Sequence, residues 1–117
     1  MQAIDRFAEM FGALGNESRL KIVRLLLSAH PEGLVVGEIQ SELGIAPSTL
    51  SHHLERLKNE GLVVVNREAT FLRYTANADA LEDLLKFLFA ECCSRTKTVD
   101  AAVIVDICSP ETKRRRS

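Results

Sequence analysis

IAPSTLSHHLERLKNEG, residues 45–61, is the stretch on which the fold turns. Pro47 suits the first turn of a helix, where a backbone N–H would have no intrahelical acceptor to lose. Along that helix, at about 100° per residue, Leu50, Leu54 and Leu57 fall within a sector of about 60°. Ser48, His52, Glu55 and Asn59 point the opposite way. One side therefore packs, and the other is polar, short-chained and reachable. His53 lies beside the leucines and reads as a packed, hydrogen-bonded histidine rather than a metal ligand or base reader.

Upstream, Ile4, Phe7, Phe11 and Leu14 recur at three and four, giving a first helix with one apolar stripe that Gly15 would end. Asn16 is the expected N-cap of a second helix, ESRLKIVRLLLSA, whose leucines, Ile22 and Val23 cover most of its circumference and place it at the centre of the fold. HPEG at 30–33 is a turn, LVV a short strand, and GEIQSELG a short helix that ends at Gly44. Downstream the period changes. Leu62 to Val65 and Phe71 to Thr75 read as two strands joined by the polar NREAT, which makes a hairpin. NADALEDLLKFLFAECC then returns to helical spacing, with Leu81, Leu84, Leu85, Leu88 and Cys92 along one side. The order predicts a mainly α fold with a β-hairpin wing, a winged helix-turn-helix.

Such a helix offers its N-terminal end to DNA: Pro47, Ser48, Thr49, Ser51 and His52 present hydroxyls, an imidazole and backbone N–H groups to bases and phosphates. Arg56 and Lys58 on the same helix, Arg67 at the hairpin tip and Arg73 on the second strand supply positive charge. Glu55 and Glu60 oppose it, and a merely solvated surface is the competing reading. Residues 47–76 hold four basic and three acidic side chains, so topology carries the DNA hypothesis more than charge does.

The whole chain narrows the classes. Its 117 residues suit one compact domain, and no apolar stretch approaches the eighteen or so residues of a membrane span. MQAIDRFAEMFGALG mixes polar and apolar residues at helical spacing and does not read as a signal peptide, so a cytoplasmic location is expected. Net charge is -1, but residues 94–117 carry six basic and three acidic side chains, so residues 1–93 stand at -4. Any DNA surface is a local patch. The expected division is a DNA-binding and dimerisation domain over 1–93 and a C-terminal extension over 94–117. The KRRRS end reads as a solvated tail.

Three stretches carry a resemblance: ALGNESRLKIVRLL, PSTLSHHLERLKNEGLV and the hairpin through RYTA. Over about residues 3–90 the chain resembles the ArsR/SmtB (arsenic repressor) family of winged-helix metalloregulators. The Ser51-His52-His53-Leu54 run followed by Leu57, Gly61, Leu62 and Val63 is the most specific part. The resemblance implies a homodimer through the first and last helices that represses transcription on a palindromic double-stranded operator until an inducer binds, with no cofactor needed for DNA binding. Where many arsenite-sensing members carry C-V-C-D, this chain has Val35, Val36, Gly37 and Glu38. Where zinc-sensing members place Asp and His on the last helix, this one has no histidine.

Three soft ligands remain, Cys92, Cys93 and Cys108. Trivalent arsenic or antimony takes three thiolates in a pyramid, which fits that count. Adjacent residues diverge by about 100° on a helix, so Cys92 and Cys93 face one ion only where the helix ends. Cys108 must fold back across 14 intervening residues, at a closure cost of roughly 2 kcal/mol plus a constant. The placement resembles a subset of the family whose arsenite site is a vicinal cysteine pair at the end of the last helix plus a third cysteine in the tail. Cys92 and Cys93 alone suffice for a monomethylated arsenite, and Cys108 could come from the other subunit.

Other readings stay open. Zinc or cadmium could be held with Asp106 or a histidine as fourth ligand. A thiol redox switch is disfavoured because a helix C-terminus raises thiol pKa, although Arg95 and Lys97 partly offset that. The cysteines could also be small hydrophobes with no ligand. An enzyme is not expected: no Gly-rich anion loop precedes any cysteine, and His52 and His53 belong to a helix explained otherwise. A winged helix used only for protein contacts would show no salt-dependent DNA affinity.

Overall fold

The structure, a computed structural model, describes residues 2–92, 94 and 95. Local signals set most element ends. Helix α1 (Gln2–Leu14) stops before Gly15. Asn16 caps α2 (Glu17–Ser28), its side-chain oxygen accepting from the Arg19 N–H at 3.1 Å. Strand β1 (Leu34–Val35) leads into α3 (Val36–Leu43), which closes on Gly44 in the left-handed conformation at φ 63°. Helix α4 (Pro47–Asn59) starts with Pro47 in its first turn. Strands β2 (Val63–Glu68) and β3 (Phe71–Ala76) form the hairpin, and α5 (Ala78–Phe89) follows. Asn77 ties α5 to the hairpin base, accepting from the Ala80 N–H and donating to the Gly61 carbonyl at 2.9 Å.

The sheet is antiparallel in the order β1-β3-β2, with Val63 opposite Ala76, Glu68 opposite Phe71, and Leu34 opposite Tyr74. The hairpin turn is Ala69–Thr70 rather than the longer NREAT, with Ala69 at φ 57°. Arg67 is consequently a paired strand residue opposite Leu72, not the tip. A two-residue turn must carry a positive φ to match the twist of its strands, and here an alanine accepts the strain.

Helix α2 packs against α1, α3, α4 and β3. Its Ile22, Val23 and Leu26 are buried, together with Ile39, Leu50, Leu54, Leu57, Leu62 and Val63. The expectation that α2 is covered nearly all round is not met among the described residues: Leu20 and Leu27 are 46% and 41% exposed. On α1 the core face is Met10 and Ala13, while Ile4 and Phe11 of the apolar stripe are 55% and 36% exposed. Among the described residues, that part of the stripe stays uncovered.

The chain divides into two compact units, Met1–Leu81 and Glu82–Ser117, with the break inside α5. In the second unit Leu84 is buried and Leu88 exposed. The α-helix stops at Phe89, short of the cysteines that the apolar pattern assigns to it. Ala90 and Cys92 donate instead to the Phe87 and Phe89 carbonyls, three residues back, and this tighter bonding replaces the α ladder. Among the described residues no helix is long and apolar enough to cross a membrane.

Gly33 holds the turn into β1 at φ 78°, and a Cβ there would run into the Tyr74 carbonyl of β3. Both the conformation and the space exclude a side chain. Gly33→Ala is expected to cost about 2 kcal/mol, read as a lower urea midpoint.

Candidate nucleic-acid interface

Pro47, Ser48, Thr49, Ser51 and His52 are all exposed on the first turns of α4, and the leucines behind them are buried. The polar groups sit on a helix that its opposite face holds in place. Gly44 allows the turn between α3 and α4, its N–H bonded to the Gln40 carbonyl at 2.8 Å. Beyond α4's first turns, a cleft of about 340 Å3 opens toward the wing, lined among others by Pro47, Ser51, Leu54, Phe71 and Tyr74.

The basic residues are divided by the pleat. Leu72 and Tyr74 line the cleft with α4, and Arg67, directly opposite Leu72, shares their face of the sheet. Arg73 lies between Leu72 and Tyr74 in sequence and projects from the other face. There its Nε donates to Glu68 Oε1 at 2.9 Å and its Nη1 to the Gly33 carbonyl at 3.3 Å, with Glu32 and Glu38 beside it. The structure therefore brings Arg67 to the α4 side and holds Arg73 away from it. Lys58 pairs with Glu55 at 3.5 Å and Arg56 approaches Glu60 at 3.8 Å, whereas Arg67 makes no ion pair among the described residues. The exposed Lys58–Glu55 pair is worth about 0–1 kcal/mol, so a phosphate can replace its carboxylate, and Arg56 at 3.8 Å lies outside hydrogen-bond range of Glu60.

His53 is half-buried behind this face. Arg19 Nη1 lies 3.4 Å from His53 Nδ1. A guanidinium only donates, so Nδ1 accepts and the ring proton sits on Nε2. Arg19 is itself fixed by a 2.6 Å bond from Nε to the Ala13 carbonyl. Burial first, then Arg19 and His52, hold the His53 pKa below its ordinary 6.5. Between the folded and unfolded pKa values the unfolded chain binds more protons, so stability rises with pH across that window. The contribution is complete above pH 6.5 and is lost as pH falls toward the folded pKa. His53→Gln is therefore expected to lose less stability than the parent chain between about pH 7 and pH 5, measured as urea midpoints.

Sequence reasoning missed one residue of this region. Arg6, on α1, donates through Nη1 to Glu60 Oε1 at 2.7 Å and through Nη2 to the Glu60 carbonyl at 2.6 Å. Glu60, which looked like a phosphate repeller, is instead a neutralised anchor at the end of α4. No local signal marks a contact 54 residues long in sequence.

Cys92 lies half-buried in the turn after α5, and Cys93 and Cys108 lie outside the described residues, as does the basic tail. Among the described residues no three of His, Cys, Asp and Glu gather in a group that could hold a metal ion.

Residues 16–65 match the model of a family described as bacterial regulatory protein, arsR family. The chain is 34% identical over 88 residues to an uncharacterized HTH-type transcriptional regulator, MJ1325, of Methanocaldococcus jannaschii, covering 75% of this chain and 97% of that protein. It is 36% identical over 81 residues to the transcriptional activator HlyU of Vibrio cholerae, covering 69% of this chain and 72% of HlyU. The HlyU structure superposes with a TM-score of 0.63 over 78% of this chain and 96% of that one. A homodimeric winged helix-turn-helix DNA-binding domain from Mycobacterium bovis, Mb0332, is 30% identical, with a TM-score of 0.61 over 85% of this chain and 92% of that one.

Proposed function

The chain belongs to the arsR family of bacterial regulatory proteins, DNA-binding transcriptional regulators of winged-helix form, and from that premise we propose that it is a homodimeric repressor released from its operator by trivalent arsenic or antimony. The observation that carries the reading is α4: three buried leucines fix a helix whose exposed end presents Ser48, Thr49, Ser51 and His52 to a major groove. Arg56, Lys58 and Arg67 supply phosphate contacts, while Arg73, on the central strand β3, is turned to the other face with Glu68. The open stripe at Ile4 and Phe11 supports a second copy on α1, and the similar Mb0332 domain is homodimeric.

The inducer half of the proposal rests on the three thiols. The α-helix ends at Phe89, so Cys92 stands in a turn, where the about 100° divergence of neighbouring helical side chains no longer applies. That supports Cys92 and Cys93 as a vicinal pair, with Cys108 of the 94–117 extension as third thiolate. Three sulfurs suit a pyramidal As(III) or Sb(III) centre better than they suit zinc, which asks for a fourth ligand.

The test is a titration of the DNA-bound protein, on a duplex it selects from a random-sequence pool, with As(III), Sb(III), methylarsenite, Zn(II), Cd(II) and a mild oxidant. As(III) or Sb(III) should release the duplex near one ion per subunit. Release by Zn(II), Cd(II) or oxidant alone, with arsenite inert, would reject the proposed inducer.

A further inference from the structure

Glu60 is shared by two guanidiniums with unequal hold. Arg6 grips its carboxylate and its main-chain carbonyl at 2.7 and 2.6 Å, whereas Arg56 Nε stays 3.8 Å from Oε2. The first two are charge-assisted hydrogen bonds, and the third is beyond hydrogen-bond range. The Glu60 side chain is only 15% exposed, so its charge demands a partner, while Arg56 is 47% exposed on the helix that meets DNA.

We infer that Arg6 is a positioning residue for DNA binding: by saturating Glu60 it keeps the Arg56 guanidinium available to a phosphate. The inference rests on the reading of Arg56 as a phosphate contact. Without Arg6, the remaining cation paired with this carboxylate among the described residues is Arg56, one helical turn back. Arg preceding Glu by four is the weaker orientation on a solvated helix. A carboxylate shielded from water pulls harder than such an exposed pair, so Arg56 closes the remaining gap and turns from the DNA face. Helix α1 thereby acts on the charge of the recognition helix without touching DNA.

The experiment measures the salt dependence of binding to a duplex selected by the unmodified protein. Each phosphate contact contributes about 0.9 to the slope of log K against log salt. Arg56→Gln should lower that slope by about one contact per subunit, about 1.8 for the homodimer, and weaken binding at least tenfold near 0.1 M salt. Arg6→Met should do the same, and the double variant Arg6→Met/Arg56→Gln should lose no more than either alone. Adding Glu60→Gln to Arg6→Met should restore the slope, because the carboxylate that captures Arg56 is gone. A purely structural role for Arg6 would lower the urea midpoint and leave the slope unchanged, which overturns the inference. Additive slope losses in the double variant overturn it as well, since Arg6 would then contact phosphate itself. An unchanged slope in Arg56→Gln removes the phosphate assignment of Arg56 and the inference with it.

Discussion

Leu57→Ala is expected to remove about 2–5 kcal/mol of folding stability, out of the 5–15 kcal/mol that a domain of this kind possesses. Leu57 is fully buried on α4, and its carbonyl accepts the Leu62 N–H at 2.9 Å where the chain reverses into β2. Truncation leaves a cavity under α4, where the chain reverses into the wing. Neighbouring α1, α2 and β2 are pinned by their own contacts and cannot collapse fully into it. Leu57→Met keeps the volume and should cost less than about 1.5 kcal/mol. Ser48→Ala, on the exposed side of the same helix, should stay within about 0.5 kcal/mol. Urea titrations of the three variants read the contrast directly. A Leu57→Ala cost below that of Ser48→Ala would mean that α4 does not pack by its leucine face.

The leucine face was legible because its signal is local and redundant. Period, a proline in the first turn and a glycine before it all point to one helix, and helix-turn-helix topology follows from the two short helices around Gly44. Signals of the other kind misled. The polar run NREAT suggested a loop, yet Asn66, Arg67 and Glu68 pair across the hairpin and the turn is Ala69–Thr70. Polarity marks an exposed wing as readily as a loop, and alanine gives no hint of a positive φ. On α1 the period revealed a stripe but not its partner. Met10 and Ala13 turn inward, and Ile4 and Phe11 stay open. At α5 the apolar spacing ran on to Cys92, but no glycine or proline marks the stop at Phe89. Arg73 could not be assigned a face until the strand register was known.

Charge on the α4 side is similarly a matter of geometry. Counting residues left the patch nearly balanced, with Glu60 among the opponents. Arg6, from outside the counted stretch, neutralises Glu60, and Glu68 draws Arg73 to the far face of the sheet. The side that holds α4's exposed end therefore keeps Arg56, Lys58 and Arg67 as its cations. Their carboxylate partners, where present, are weak enough to exchange.

Cys92→Ser and Cys93→Ser should each leave DNA affinity within about twofold of the parent chain and abolish release by arsenite. A hydroxyl matches the thiol in size, so the turn after α5, held by the Cys92 N–H to the Phe89 carbonyl, stays intact. What is lost is a thiolate, which a hydroxyl does not replace for a soft ion. Moving the bound population from 99:1 to 1:99 requires the ion to favour the released form by about 5.5 kcal/mol, or about 10⁴-fold. Breaking the vicinal pair removes the source of that preference, so half-release should shift by more than about a hundredfold in arsenite. Cys108→Ser separates the two ligand counts. It should weaken the response to inorganic arsenite and spare the response to monomethylated arsenite, which needs two thiolates. Competition binding of a labelled duplex measures all three variants. Retention of the parent's arsenite response by Cys92→Ser or Cys93→Ser would remove the thiols from the mechanism, while the α4 interface would stand on its own salt-dependent affinity.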